Sequence, residues 1–268
     1  MESSLRVVPL VLAIVVFGIL GTTAWQRLSL KRQYDIDEDS LRLTQWPSWC
    51  GEKMAARINA TIKFKEELTG LDLHATRKVA DAYRSSPWVR KVLRVRKAYP
   101  NNISISVDLR QPILAVRHGG RIHLVDRDAI HLPVQYGSWP VDEVQAPLLT
   151  GVAVGPPPTT GVWKDGDILD AIATLNAVRT CQGMENVKIV EVDLSNKNGV
   201  ADPRQSEIVL VTDRQARILW GRSPRSNAFG EHSVDEKVSQ LDWLLRQHPT
   251  PTRMDLVVRF LDGGVVPN

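Results

Sequence analysis

SSPWVRKVLRVRKAYPNNISISVDLRQPILAV, residues 85–116, decides how this chain folds. Leu93 and Val95 alternate with Arg94 and Arg96, and Ile103, Ile105 and Val107 alternate with Ser104, Ser106 and Asp108. Period-two alternation puts one set of side chains on each face of a pleated strand. Tyr99-Pro100-Asn101-Asn102 supplies turn residues between the two runs, so the stretch reads as a hairpin with one buried and one wet face. Upstream, Val79, Ala82 and Tyr83 recur at helical spacing, and Pro87 pushes the residue before it out of helical geometry. A helix over Ala75–Arg84 therefore stops at Ser85-Ser86. Pro112 cannot donate to a ladder, so it marks a bulge or strand edge before Ile113-Leu114-Ala115-Val116 continues.

Toward the N-terminus, Val7–Ala24 (VVPLVLAIVVFGILGTTA) carries no charge. At about 1.5 Å per residue it reaches about 27 Å, close to the bilayer hydrocarbon thickness, so it is expected to form a transmembrane helix. Trp25 then stands at the aqueous interface. A cleaved signal peptide is the rival, because Arg6 precedes the apolar run and Thr22-Thr23-Ala24 follows it; the length of the run favours the anchor. Arg27, Lys31 and Arg32 outnumber Arg6, so charge counting alone puts the N-terminus outside. Residues 26–45 lack either hydrophobic period and read as a polar linker. Met54, Ile58 and Ile62 then have helical spacing, although Ala60–Phe64 also admits a short strand.

Toward the C-terminus, Arg121–Asp126 reads as a strand, with Ile130–Pro133 as its hairpin partner, and GVAVGPPPTTG at 151–161 as an extended surface loop. Asp165-Gly166-Asp167 opens a helix whose apolar stripe is Ile168, Ile172, Leu175 and Val178. Strands are expected at Lys188–Leu194, Glu207–Thr212 and Ala216–Trp220. Ser233 and Glu236 match a capping box, and Val238, Leu241, Leu244 and Leu245 form the stripe of a last helix, followed by a strand at Met254–Phe260.

The residue chemistry points away from catalysis. Hydrophobic residues make up 43% and charged residues 24%, and a net charge of +4 with no basic run interleaved with aromatics argues against nucleic acid. The six histidines, His74, His118, His123, His131, His232 and His248, show no metal-ligand spacing, and neither a GxSxG nor a phosphate loop occurs. No metal, cofactor or small-molecule substrate is expected. His123 and His131 fall on the two strands of one hairpin and read as neutral surface imidazoles; Asp126 and Asp128 read as turn residues. Cys50 and Cys181 lack CxxC spacing, and either two thiols or one bridge fits them. Arg84, Arg90, Lys91, Arg94, Arg96 and Lys97 form the densest basic cluster, which suits a solvated strand face better than an anionic surface.

Pro87-Trp88-Val89, Arg94–Pro100 (with Arg96 and Tyr99), Ile103–Val107 and Arg110–Ala115 (with Pro112) together resemble the FtsQ/DivIB family of bacterial cell-division proteins. Leu124-Val125-Asp126, Leu132-Pro133, Ile218-Leu219-Trp220-Gly221 and Val257-Val258-Arg259-Phe260 are similar to its later parts. The departures are an unconvincing first strand around residues 46–70, the insertion at 151–161, and a last strand reading Val257-Val258-Arg259-Phe260 where the family often shows an acidic residue before Leu-Arg. The resemblance implies an α+β protein: an N-terminal transmembrane helix, a POTRA-like α/β module with two helices on a three-stranded sheet, then a mainly antiparallel β domain with two helices. The expected divisions are 1–25 for tail and transmembrane helix, 26–45 for linker, 46–118 for the POTRA-like domain, 119–261 for the β domain and 262–268 for a tail. The implied function is a non-enzymatic divisome scaffold of the cell inner membrane, extracytoplasmic in bulk and gathered at the septum. Its implied partners are division proteins of the FtsB and FtsL type, joined at a sheet edge through Ile218, Trp220, Val257, Arg259 and Phe260. Trp220 and Phe260 suit core and interface equally, whereas Trp88 reads as core. The alternatives are a POTRA-bearing envelope-assembly chaperone, which calls for repeated modules that this sequence lacks, and a secreted periplasmic binding protein.

Overall fold

A computed structural model of the chain describes residues 15–24, 26, 35–36, 40–98, 101–139, 143–226, 230–259 and 265–267. It separates into two compact units, Met1–Leu109 and Arg110–Asn268, so the division falls before Pro112 rather than after His118.

In the first unit, β1 (Asp35–Ile36) pairs with β3 (Leu68–Thr69), and β2 (Leu41–Leu43), β5 (Asn102–Leu109) and β4 (Val89–Ala98) form a three-stranded sheet in that order. α1 (Glu52–Asn59) turns Met54 and Ile58 inward, and α2 (Ala75–Ser85) turns in Val79, Ala82 and Tyr83. Ile103, Ile105 and Trp88 are sealed at 0% exposure. The expected linker holds β1 and β2, because Leu41-Arg42-Leu43 is too short to show a period, yet it pairs in parallel with Ile103–Ile105. The β4 alternation also differs from expectation. The register shifts between Val92 and Arg94, so Leu93 sits in a bulge and points out, 58% exposed.

The second unit is built on a nine-stranded sheet, in order β14-β13-β12-β11-β10-β9-β6-β7-β8. Its strands are β6 (Pro112–His118), β7 (Arg121–Asp126), β8 (His131–Tyr136), β9 (Leu148–Thr150), β10 (Ile189–Asp193), β11 (Ile208–Thr212), β12 (Arg217–Gly221), β13 (Met254–Val257) and β14 (Val265–Pro267). α3 (Gly166–Arg179) and α4 (Val234–Gln247) supply the helices. Asp165 caps α3 through the Asp167 N–H, and Ser233 and Glu236 close a full capping box on α4. One continuous core joins Ile168, Ile172, Leu175 and Val178 of α3, Leu241, Leu244 and Leu245 of α4, and Leu149, Val192, Leu210, Ile218, Trp220 and Leu256 of the sheet.

Two expectations about the fold class are overturned. The second domain is mixed α/β rather than mainly antiparallel, because β9 runs parallel to both β6 and β10, and β12 runs parallel to β13. A parallel neighbour needs a long crossover, and α3 and α4 are those crossovers between β9 and β10 and between β12 and β13. The expected transmembrane helix is corrected as well: no helix among the described residues is long and apolar enough to cross a membrane. The helical stretch described there covers residues 15–24, about 15 Å at the usual rise, and residues 7–14 of the expected span lie outside the described residues. The expected tail at 262–268 contains β14, which pairs with β13.

Candidate partner-binding surface

β11, β12 and β13 present two faces of opposite character. On the helix side, Ile208, Leu210, Ile218, Trp220, Leu256 and Val258 are all buried. On the other side, Val209, Leu219 and Val257 are partly exposed. The register places these three directly opposite one another, Val209 against Leu219 and Leu219 against Val257. They form an apolar row across three strands, where cross-strand neighbours reinforce each other. The adjacent row is Val211, Arg217, Asp255 and Val266, in which Arg217 Nε lies 3.7 Å from Asp255 Oδ1 and Val266 is 53% exposed.

β12 is not an edge, since it is paired on both sides. Ile218 and Trp220, both 0% exposed, therefore hold the sheet to its helices and present no surface to a partner. Lys237 of α4 lies 5.5 Å from the centre of the Trp220 ring, and its ammonium is 2.6 Å from Glu231. Burial lowers the Lys237 pKa, with Glu231 opposing the shift. The same Glu231 explains the glycine after Trp220. Gly221 has φ 86, and a Cβ there would meet Glu231 Oε2 at 2.4 Å.

Val257 lies on the partly exposed face, and among the described residues β14 pairs with Met254–Leu256. Arg259 is anchored by its backbone, whose carbonyl accepts from His232 N–H at 3.1 Å, and its guanidinium reaches the Arg204 carbonyl. Phe260 lies outside the described residues, as do Tyr99 and Pro100. The structure thus brings Val257 to this surface with Val209, Val211 and Leu219, which the sequence reading did not select. Their signal was the unbroken apolar run Ile208-Val209-Leu210-Val211, which a strand with one wet face does not show.

In the first unit, Trp88 and Val89 belong to the core, as Trp88 was read, and Arg96 is exposed on β4 opposite Ser104. Lys91, Arg94 and Lys97 are exposed with it; Arg84 pairs with Asp81 at 2.6 Å and Arg90 lies 3.7 Å from Asp108. Pro112 begins β6 at a register shift, which spares the ladder the N–H that proline lacks. Among the described residues no group of three or more His, Cys, Asp or Glu side chains could hold a metal ion. Cys50 and Cys181 are both free thiols, and burial pushes each up to about 11, far from a reactive thiolate.

Comparison with known proteins gives a link to bacterial cell division. No known family profile matches the chain. It is similar to the cell division protein FtsQ of Corynebacterium glutamicum, 25% identical over 144 residues, which is 53% of this chain and 54% of that protein. The chain thus spans about half the length of the curated relative it matches.

Proposed function

We propose that this chain is a cell-division scaffold of FtsQ type, which works by holding other division proteins and carries out no reaction of its own. The observation that supports it most is the Val209–Leu219–Val257 row on the partly exposed face of the sheet. Among the described residues β14 is the outermost strand beside this row, and an extended segment added along it gains backbone hydrogen bonds from the strand and selectivity from alternate side chains. The similarity to FtsQ supplies the biological setting, and the two helices on a three-stranded sheet in the first unit support a POTRA-type recruitment module. In this reading the two units act outside the cytoplasm at the division septum, and the partners are proteins of the FtsB and FtsL type.

The test is a fluorescent fusion followed through the division cycle, combined with depletion of the protein. Gathering at mid-cell and filamentation on depletion are the expected results. Uniform fluorescence in constricting cells, or normal division after depletion, overturns the reading.

A further inference from the structure

The other end of the large sheet carries a cluster that the partner surface does not use. His123 on β7 and His131 on β8 are sealed, 4% and 3% exposed, rather than lying at the surface. His123 Nδ1 lies 3.2 Å from His131 Nε2, and His131 Nδ1 lies 2.8 Å from the Pro157 carbonyl. A carbonyl only accepts, so His131 carries its proton on Nδ1, which leaves Nε2 a bare lone pair when the ring is neutral. His123 must then hold its own proton on Nδ1 to donate across the hairpin. Two neutral rings satisfy this chain of bonds. Two imidazolium rings would set N–H against N–H.

These hydrogen bonds end on a strap. Residues 152–161 are fastened by His131 Nδ1 to Pro157, by the Trp163 indole N–H to the Val154 carbonyl at 3.2 Å, and by His118 Nδ1 at 3.4 Å from the Val152 carbonyl. Thr160 N–H donates to the His131 carbonyl at 2.8 Å, and His131 N–H to the Gly161 carbonyl at 3.0 Å. Trp163, 1% exposed, stands edge-on to both imidazoles with ring centres 5.9 Å away. The ionisable groups that face His123 are His131, His118 and Arg121, each of them positive when charged. The strap VAVGPPPTTG carries no ionisable side chain, and Asp126 at the end of β7 is already bound by Arg110. Nothing in this arrangement compensates an added proton.

We propose that the His123–His131 pair is an acid-sensitive latch, which holds the 152–161 strap on the β7–β8 hairpin while both rings are neutral and frees it when both are protonated. Burial first, and then the neighbouring cations, lower the His123 pKa in the latched state. The latch is therefore complete above the ordinary imidazole value of about 6.5 and weakens as pH falls below it, because the open strap takes up protons that the closed one refuses.

Amide hydrogen exchange on the 268-residue chain at two pH values, about one unit above and one and a half below that value, tests this after correction for intrinsic rates. Thr160, His131 and Trp163 should exchange about tenfold faster in acid, because the open strap takes up protons, while β11 and β12 stay unchanged. His123→Gln keeps an N–H for His131 but cannot titrate in this range, so it should abolish the acceleration. Equal protection of the wild-type strap at both pH values, or acceleration that survives in H123Q, overturns the latch. Should H123Q fail to fold, imidazole nitrogen shifts of the wild type decide: the Nδ1–H form of His123 persisting below the ordinary value is expected, and an ordinary titration refutes the proposal.

Discussion

Arg110 Nη1 lies 2.7 Å from Asp126 Oδ2, and the Asp126 side chain has no exposed surface. The other carboxylate oxygen accepts from the N–H groups of Asp128 and Ile130, both at 2.9 Å, so one acid closes the β7–β8 turn and joins it to the start of the unit. The Arg-Gln-Pro motif thus has a physical meaning. Arg110 neutralises the turn, and Pro112 opens β6 at its bulge. Arg110→Ala leaves a buried carboxylate without its cation and should cost about 3–5 kcal/mol in denaturant unfolding. Arg84→Ala removes an arginine paired with Asp81, both side chains 59% exposed, and should cost less than about 1 kcal/mol. Equal losses for the two variants would contradict the role given to Arg110.

Gly221 and Gly230 both have left-handed backbones, φ 86 and φ 98, but only Gly221 has Glu231 against it. Gly230→Ala meets open space and should lose about 1–2 kcal/mol, the conformational penalty alone. Gly221→Ala must also displace the carboxylate that binds Lys237, and a loss of about 3 kcal/mol or more is expected. Thermal melts of the pair measure the difference.

Leu219 and Trp220 are chain neighbours with opposite duties. Trp220→Ala opens a core cavity and should destabilise by about 3–5 kcal/mol. Leu219→Asp lies on the partly exposed face and should keep the far-ultraviolet circular dichroism and melt within about 1 kcal/mol of the parent. Under the proposed function it loses capture of division proteins from membrane extracts. Undiminished capture by L219D would remove this face from consideration.

Asp242 accepts from the Gly183 N–H at 2.9 Å and pairs with Arg246 at 2.5 Å. The Gly183 bond, against a smaller opposing effect of burial, lowers its pKa below the ordinary carboxylate value of 3.8. A depressed carboxyl stabilises the fold above that value, and the contribution disappears as pH falls through the folded-state pKa. Stability measured from neutral pH down to about 2 should therefore fall less steeply in Asp242→Asn than in the parent over the acid limb. Parallel acid limbs would exclude this contribution.

Much of the fold was legible because periodicity and capping are local. The α2 stop at Ser85, the Asp165 cap of α3 and the Ser233–Glu236 box of α4 all depend on residues within a turn of each other. What escaped depends on distant partners. The strand β2 is recognisable only beside β5, and the bulge at Leu93 only from the register with Val107 and Ser106. Parallel pairing escaped for the same reason, since no residue in Met254–Val257 announces that its neighbour is β12. The surface was half legible. Val257, selected from its place in a motif, lies on the partly exposed face, whereas Ile218 and Trp220 were put on an edge that the return of the chain through α4 and β13 converts into an interior.

The short strand β9 has a mechanical consequence. Backbone continuity between the two halves of the large sheet runs through the short stretch Pro147–Thr150 among the described residues, with β6 on one side and β10 on the other. The hydrophobic core, by contrast, passes from Val116 and Val125 to Leu210 and Trp220 without interruption. A force pulling the halves apart is resisted chiefly by interlocked side chains and only thinly by amide bonds. Small changes in packing around Leu149 can thus make the halves swivel as two plates while every other strand keeps its register.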